Sequence, residues 1–182
     1  GVLADQTILV DIDDYEQSEK LMKIVEDLQL RCRVYETKRG KHFLFKNNGV
    51  ATCKTGTQIA CGLVADIKIG TKNSYEVLKY DGVERKIIYD KFEDEDYDAL
   101  PKWLKPIKTN YDFMNLSEGD GRNQVLFNYI LTLQSYDFTI DEARETIKLL
   151  NKYVLREPLP DDEIDVILRD EAFSKPVFFK DK

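Results

Sequence analysis

Apolar and polar positions along this chain change period several times, and the changes mark out its elements. Residues 7–13, Thr-Ile-Leu-Val-Asp-Ile-Asp, run strand-forming residues into an alternation of acid and isoleucine. Successive side chains on a strand take opposite faces, so Asp11 and Asp13 share one face while Val10 and Ile12 turn into a core. From 16 to 30, Leu21, Met22, Ile24, Val25 and Leu28 recur at helical spacing, which predicts an amphipathic helix capped by Asp14 or Ser18. Residues 31–37 alternate again and predict a strand. Lys38-Arg39-Gly40-Lys41 reads as a turn in which Gly40 can take positive φ, and 42–46 is the returning strand, closed by Asn47-Asn48-Gly49.

A less regular stretch follows, and 63–69 predicts another strand carrying Asp66 and Lys68. Residues 75–80 and 84–89 predict a hairpin around Asp81-Gly82, a strong short-range turn signal. Past residue 91 the pattern lapses into acids (Glu93, Asp94, Glu95, Asp96, Asp98) and two prolines. Trp103, Leu104, Ile107 and Phe113 are the residues there that would dock onto folded neighbours. Helical spacing resumes at Arg122: 122–134, 139–154 (with Thr139 and Glu142 in capping-box spacing) and 160–173 predict three short helices. The expected class is therefore α+β, with a sheet domain at 1–91, a connector at 92–117, a small three-helix bundle at 118–175, and a tail at 176–182 mixing lysines with Phe178 and Phe179.

Composition places the 182 residues among globular chains of one domain or two small ones, with 42% hydrophobic and 34% charged residues. No apolar run approaches the length of a membrane span, so no membrane partner is expected. Cys32, Cys53 and Cys61 include no C-x-x-C pair, which argues against a zinc ribbon or disulfide framework and for a reducing, cytoplasmic compartment; each reads most simply as a small core residue. The net charge of −7 is unevenly spread: residues 31–79 hold ten Lys and Arg against three acids, a local charge of +7. A basic block beside an acidic strand end suits a polyphosphate or nucleic acid held through metal.

Three features carry the candidate chemistry. Asp11 and Asp13 on one strand face can converge on a hard cation. His42, the single histidine, opens a strand directly after a glycine turn, flanked by Arg39 and Lys41. Asp66 lies among Leu63, Val64, Ala65 and Ile67 with Lys68 on its own face, and an acid so placed needs a partner, a metal or an exposed edge.

In order, Val10-Asp11-Ile12-Asp13, Gly40-Lys41-His42 and Ala65-Asp66 resemble the three motifs of the archaeo-eukaryotic primase superfamily, and more narrowly the primase-polymerases of bacteriophages and plasmids. Gly121-Arg122-Asn123, the helix around Leu126-Phe127, and Glu157-Pro158-Leu159-Pro160-Asp161-Asp162-Glu163-Ile164 resemble the primase C-terminal helical domain. The resemblance covers most of residues 7–173. It implies a primase-polymerase-like sheet domain truncated at its N-terminus, since only six residues precede the first strand. It also implies a fragment of a larger replication protein acting in the cytoplasm, of a bacterial host if phage-encoded.

The implied activity is template-directed nucleotidyl transfer from (d)NTPs onto a primer on a DNA template, with a replicative helicase as a further partner. Asp11, Asp13 and Asp66 would be catalytic and hold two Mg²⁺ or Mn²⁺ ions. His42, Lys41 and Lys68 would hold the triphosphate, while Arg31, Arg33 and Arg39 would track the template backbone. Two rivals stand beside this reading. One is a non-catalytic replication-associated nucleic-acid-binding module whose acids tie the sheet to nearby lysines. The other is a haloacid-dehalogenase-type phosphotransferase using Asp11 as nucleophile, against which Tyr15 stands where that family places threonine or valine.

Overall fold

The computed structural model describes residues 3–70, 79–80, 82–92 and 96–173. The chain divides into two units, one ending at Tyr111 and one beginning at Asp112. Its class is α+β. Among the described residues no helix is long and apolar enough to cross a membrane.

The first unit is a seven-stranded sheet in which every strand pair is antiparallel. Its strands are β1 (Thr7–Ile12), β2 (Arg33–Glu36), β3 (Lys41–Lys46), β4 (Lys54–Ile59), β5 (Val64–Ile69), β8 (Ile87–Asp90) and β9 (Pro106–Ile107). Strand order is β8-β2-β3-β1-β5-β4-β9, so β1 is central. Ile8, Leu9, Val10 and Ile12 are all fully buried.

Helix α1 (Tyr15–Leu28) follows β1 directly. Asp14 caps it by accepting from the Gln17 N–H at 2.9 Å, and Gln29 ends it in the left-handed region at φ 53°. Leu21, Met22, Ile24 and Val25 form its buried face. The side chain of Lys41 reaches up from β3 to Ser18 and Glu19 of α1, so α1 covers the sheet face of Val10, Ile12, Lys41 and Phe43. Asp11 and His42 lie on the other.

Four departures from the sequence expectations have physical causes. Strand β4 falls in the stretch expected to be irregular: it holds one apolar residue, Ile59, and a glycine, and is recruited by pairing with β5 and β9 rather than by its own pattern. The expected 84–89 strand is split. Val83–Glu84 (β7) pairs with Lys79–Tyr80 (β6) across Gly82 at φ 80°, while Ile87–Asp90 leaves to pair with β2. Residues 75–78 of that hairpin lie outside the described residues, as does the tail from Ser174.

Gly40 does not take positive φ. A Cβ there would lie 1.8 Å from the Ile12 carbonyl oxygen, so glycine is required by close approach of the turn to the end of β1. Finally, much of the expected connector belongs to the first unit. Asp98 and Leu100 exchange backbone hydrogen bonds with Arg31 and Lys46, the Trp103 carbonyl accepts from Cys61, and β9 adds a strand beside β4. Leu100, Trp103, Leu104 and Ile107 are buried there.

In the second unit α2 (Arg122–Ser135) is followed by α3 (Ile140–Leu149), a π-helical turn at Leu150–Val154, α4 (Asp161–Ile167) and α5 (Asp170–Phe173). The Thr139–Glu142 capping box forms in both directions. The single helix expected at 160–173 is two, interrupted at Leu168-Arg169, where the Leu168 carbonyl accepts from Arg144. Buried Asn151 clamps the Pro-Leu-Pro segment by bonding both the N–H and the carbonyl of Leu159 at 2.8 and 3.0 Å. Phe113 packs edge-on against Tyr129 at 4.7 Å.

Candidate functional site

On the sheet face away from α1, Asp11 stands directly opposite His42 on β3 and directly opposite Asp66 on β5. Directly opposed residues place their Cβ atoms about 5 Å apart. His42 and Asp66, 31 and 55 positions from Asp11 in sequence, thus flank it in one row, and the row continues through Tyr35, the cross-strand partner of His42 on β2.

His42 is 7% exposed, and a buried polar side chain needs partners. Its Nε2 lies 3.1 Å from Asp11 Oδ1. Over it comes Arg85, from the short segment joining β7 to β8, with one guanidinium nitrogen 3.0 Å from Nδ1 and 3.4 Å from Nε2. Asp66 is held otherwise: its Oδ1 accepts from the backbone N–H of Gly56 at 2.7 Å, presented by an irregularity in β4 where Gly56 takes φ 57°. Strand β1 ends at Ile12, so Asp13 lies beyond the ladder, exposed, with Arg39 donating from Nε at 3.1 Å and pairing through a second nitrogen at 2.5 Å.

Asp11, Asp13, Arg39, His42 and Arg85 open on a cleft of about 520 Å³, within the range of small-molecule sites, and Asp66 is not part of its lining. Lys38, Arg39, Lys68 and Arg85 are its cations and Asp11 and Asp13 its carboxylates, with His42 and Thr37 completing the lining. A cleft so lined favours anions.

Of the expected site residues, Asp11, His42, Asp66 and Lys68 share the sheet face, and Asp13 and Arg39 join them at its edge. Lys41 does not. Adjacent strand residues face opposite ways, so it is buried under α1, with its Nζ 2.5 Å from Glu19 Oε1, 3.2 Å from Ser18 Oγ and 4.9 Å from the centre of the Tyr15 ring. The Lys41 ammonium in turn holds the Glu19 carboxyl below its ordinary value, through their hydrogen bond.

The expected template-tracking arginines are also committed elsewhere. Arg31 pairs with Asp98 at 2.8 Å, and Arg33 pairs with Asp90 at 3.0 Å and donates to the Tyr35 hydroxyl at 3.2 Å. The Asp90 hydrogen bond pushes the Arg33 guanidinium further up. Lys46 meets Asp96 at 3.0 Å. Much of the +7 charge of residues 31–79 is therefore balanced by acids that come later in the chain.

Arg85 and Lys38 were not among the expected site residues. The signal for Arg85 is Glu84-Arg85-Lys86, a charged triplet just before a strand, in which Arg85 alone is half-buried while its two neighbours are exposed.

The oxygen donors of Asp11, Asp13 and Asp66 suit a hard divalent cation such as Mg²⁺ or Mn²⁺. In the structure each carboxylate is engaged separately, and no group of three or more His, Cys, Asp or Glu among the described residues is gathered tightly enough to hold a metal ion. Compared with protein-family models, curated proteins and solved structures, the chain matches none of them.

Proposed function

We propose that this chain is a metal-dependent nucleotidyltransferase of the primase-polymerase type, extending a template-paired primer from (d)NTPs. One observation carries the proposal: Asp11, His42 and Asp66, matched to three separate motifs in the sequence, are immediate neighbours on three consecutive strands of the sheet. A solvated acidic turn gives no reason for a second acid and the single histidine to flank Asp11.

Asp11 and Asp66, with Asp13 at the strand end, would hold Mg²⁺ or Mn²⁺, which when bound supplies charge neutralisation at the reacting phosphates and acidifies the primer hydroxyl. The remaining work belongs to the protein. Lys68 and Lys38 line the cleft as a triphosphate cradle, and His42, with Arg85 over its ring, offers an imidazole N–H there. Arg39 exchanges Asp13 for a phosphate oxygen when the cleft fills, a move open to an exposed pair worth about 1 kcal/mol or less. Fixed charges of this kind act by positioning and by stabilising developing charge. The primase-like identity of the sheet, the helical unit as a primase C-terminal domain, the DNA template and a helicase partner belong to the same proposal.

A template-dependent labelling assay with Mn²⁺ and dNTPs tests it. Incorporation should be abolished by Asp11→Ala and by Asp66→Ala, and incorporation that survives Asp11→Ala together with Asp13→Ala would sink the metal assignment. A second reading is favoured by the separate engagement of each carboxylate, which is what a binding module using acids to tie its sheet together requires. Nucleotide binding with no incorporation by a longer chain would select it.

A further inference from the structure

We propose that Arg85 is a positioning residue for His42, holding the imidazole from its face while Asp11 holds it by its edge. The inference rests on the nucleotidyltransferase reading for its kinetic consequence, but the contact itself does not.

The geometry is specific. A donor aligned with the lone pair of one ring nitrogen lies far from the other nitrogen. One guanidinium nitrogen of Arg85 is within 3.0 Å of Nδ1 and 3.4 Å of Nε2, so it lies over the ring rather than in line with either lone pair. A planar guanidinium is suited to resting on an aromatic face in a way an ammonium is not. Meanwhile Nε2, at the rim of the ring, lies 3.1 Å from Asp11 Oδ1.

The second torsion of histidine is broad and roughly two-fold. A half-turn about it exchanges each ring nitrogen for a carbon, leaving a C–H facing Asp11 and no donor at the cleft floor. The Asp11 contact opposes that turn at Nε2, and the Arg85 nitrogen adds a contact over the ring, within reach of both ring nitrogens. The backbone keeps Arg85 there: the Glu36 N–H donates to the Lys86 carbonyl at 2.9 Å, pinning the segment to the end of β2, and Ile87 pairs with Tyr35, the cross-strand neighbour of His42.

His42 is the single histidine in the chain, so its ring signals can be observed without assignment ambiguity. Nuclear magnetic resonance of the full chain, wild type against Arg85→Met, should show the His42 ring protons and nitrogens displaced, with the amide spectrum elsewhere retained. Arg85→Lys, which keeps the charge without the planar stack, should fall between them and serves as the second variant should Arg85→Met fold poorly. In the labelling assay the KM for dNTP should rise and kcat/KM should fall about 10- to 100-fold, the scale on which losing an orienting partner acts. A variant that merely lost folded protein would lower kcat at constant KM. Unmoved ring signals in Arg85→Met overturn the proposal, as does unchanged KM in a protein whose ring signals move. Displaced signals, with no incorporation by the wild type either alone or in the longer chain, leave the contact standing and refute the nucleotidyltransferase reading instead.

Discussion

Lys41 and Glu19 offer the sharpest test of how this fold assigns its charges. The Lys41 side chain is 5% exposed and that of Glu19 48% exposed, with Nζ 2.5 Å from Oε1. Removing one partner of a fully buried pair costs about 3–5 kcal/mol, because the other charge is stranded. An exposed pair is worth roughly 1 kcal/mol or less. Glu19 is half in water, and the Ser18 hydroxyl and Tyr15 ring still attend the ammonium after its loss. Glu19→Ala should therefore cost about 2 kcal/mol, between those limits. For a folding unit of this size that is a fall of roughly 8 °C in melting temperature.

Lys41→Met removes the cation together with its need for a partner and fills the space of its stem. It should change stability by less than about 1 kcal/mol, and adding Glu19→Ala to it should then cost almost nothing. Urea unfolding of the four proteins of this cycle measures the coupling, expected at about 2 kcal/mol. Acid should have the same signature. The carboxyl of Glu19 is lowered from its ordinary value of 4.5, chiefly by its hydrogen bond to Lys41. Its contribution is thus complete above that ordinary value and is lost as pH falls through the lower folded one. Glu19→Gln should flatten that part of the acid limb. A coupling near zero, or Lys41→Met protein that keeps its stability and loses affinity for dNTP, would refute the argument and return Lys41 to the nucleotide.

Other substitutions read other parts of the structure. Gly40→Ala forces a Cβ to 1.8 Å from the Ile12 carbonyl oxygen and should destabilise the first unit by about 4 kcal/mol or more; a melting temperature near wild type would show that the turn does not abut β1. With a thiol reagent under native conditions Cys53, which is exposed, should react quickly. Cys32 and Cys61 should stay protected, since both are buried and burial pushes their thiols up to about 12; fast labelling of all three would contradict the core. Asn151→Ala leaves the N–H and the carbonyl of Leu159 without their buried partner and should cost about 2–3 kcal/mol in the helical unit, measured by chemical unfolding; a loss below about 0.5 kcal/mol would mean that the clamp is dispensable.

The chain by itself determined the elements whose period is written locally. Strands β1, β3 and β5, helix α1 with its Asp14 cap and the Thr139–Glu142 box are legible because strand alternation, helical spacing and capping operate over a few residues. The same alternation separates Asp11 from Val10 and Ile12, and so marks a polar face and a core face. Applied to β3, it would have placed Lys41 opposite His42; proximity to a basic turn concealed that.

What tertiary structure alone decided is partnership. Strand β4 has no pattern of its own and exists because β5 and β9 present unpaired backbone to it. Asp96 and Asp98 of the acidic run past residue 91, and Asp90 just before it, neutralise Lys46, Arg31 and Arg33 because the later segment folds back onto the sheet. Arg85 reaches His42 by the same kind of long-range return. A charge in sequence is only a potential. Which counter-charge it meets depends on how distant segments register across the sheet, and that is set by the burial of the whole core rather than by any neighbourhood of residues.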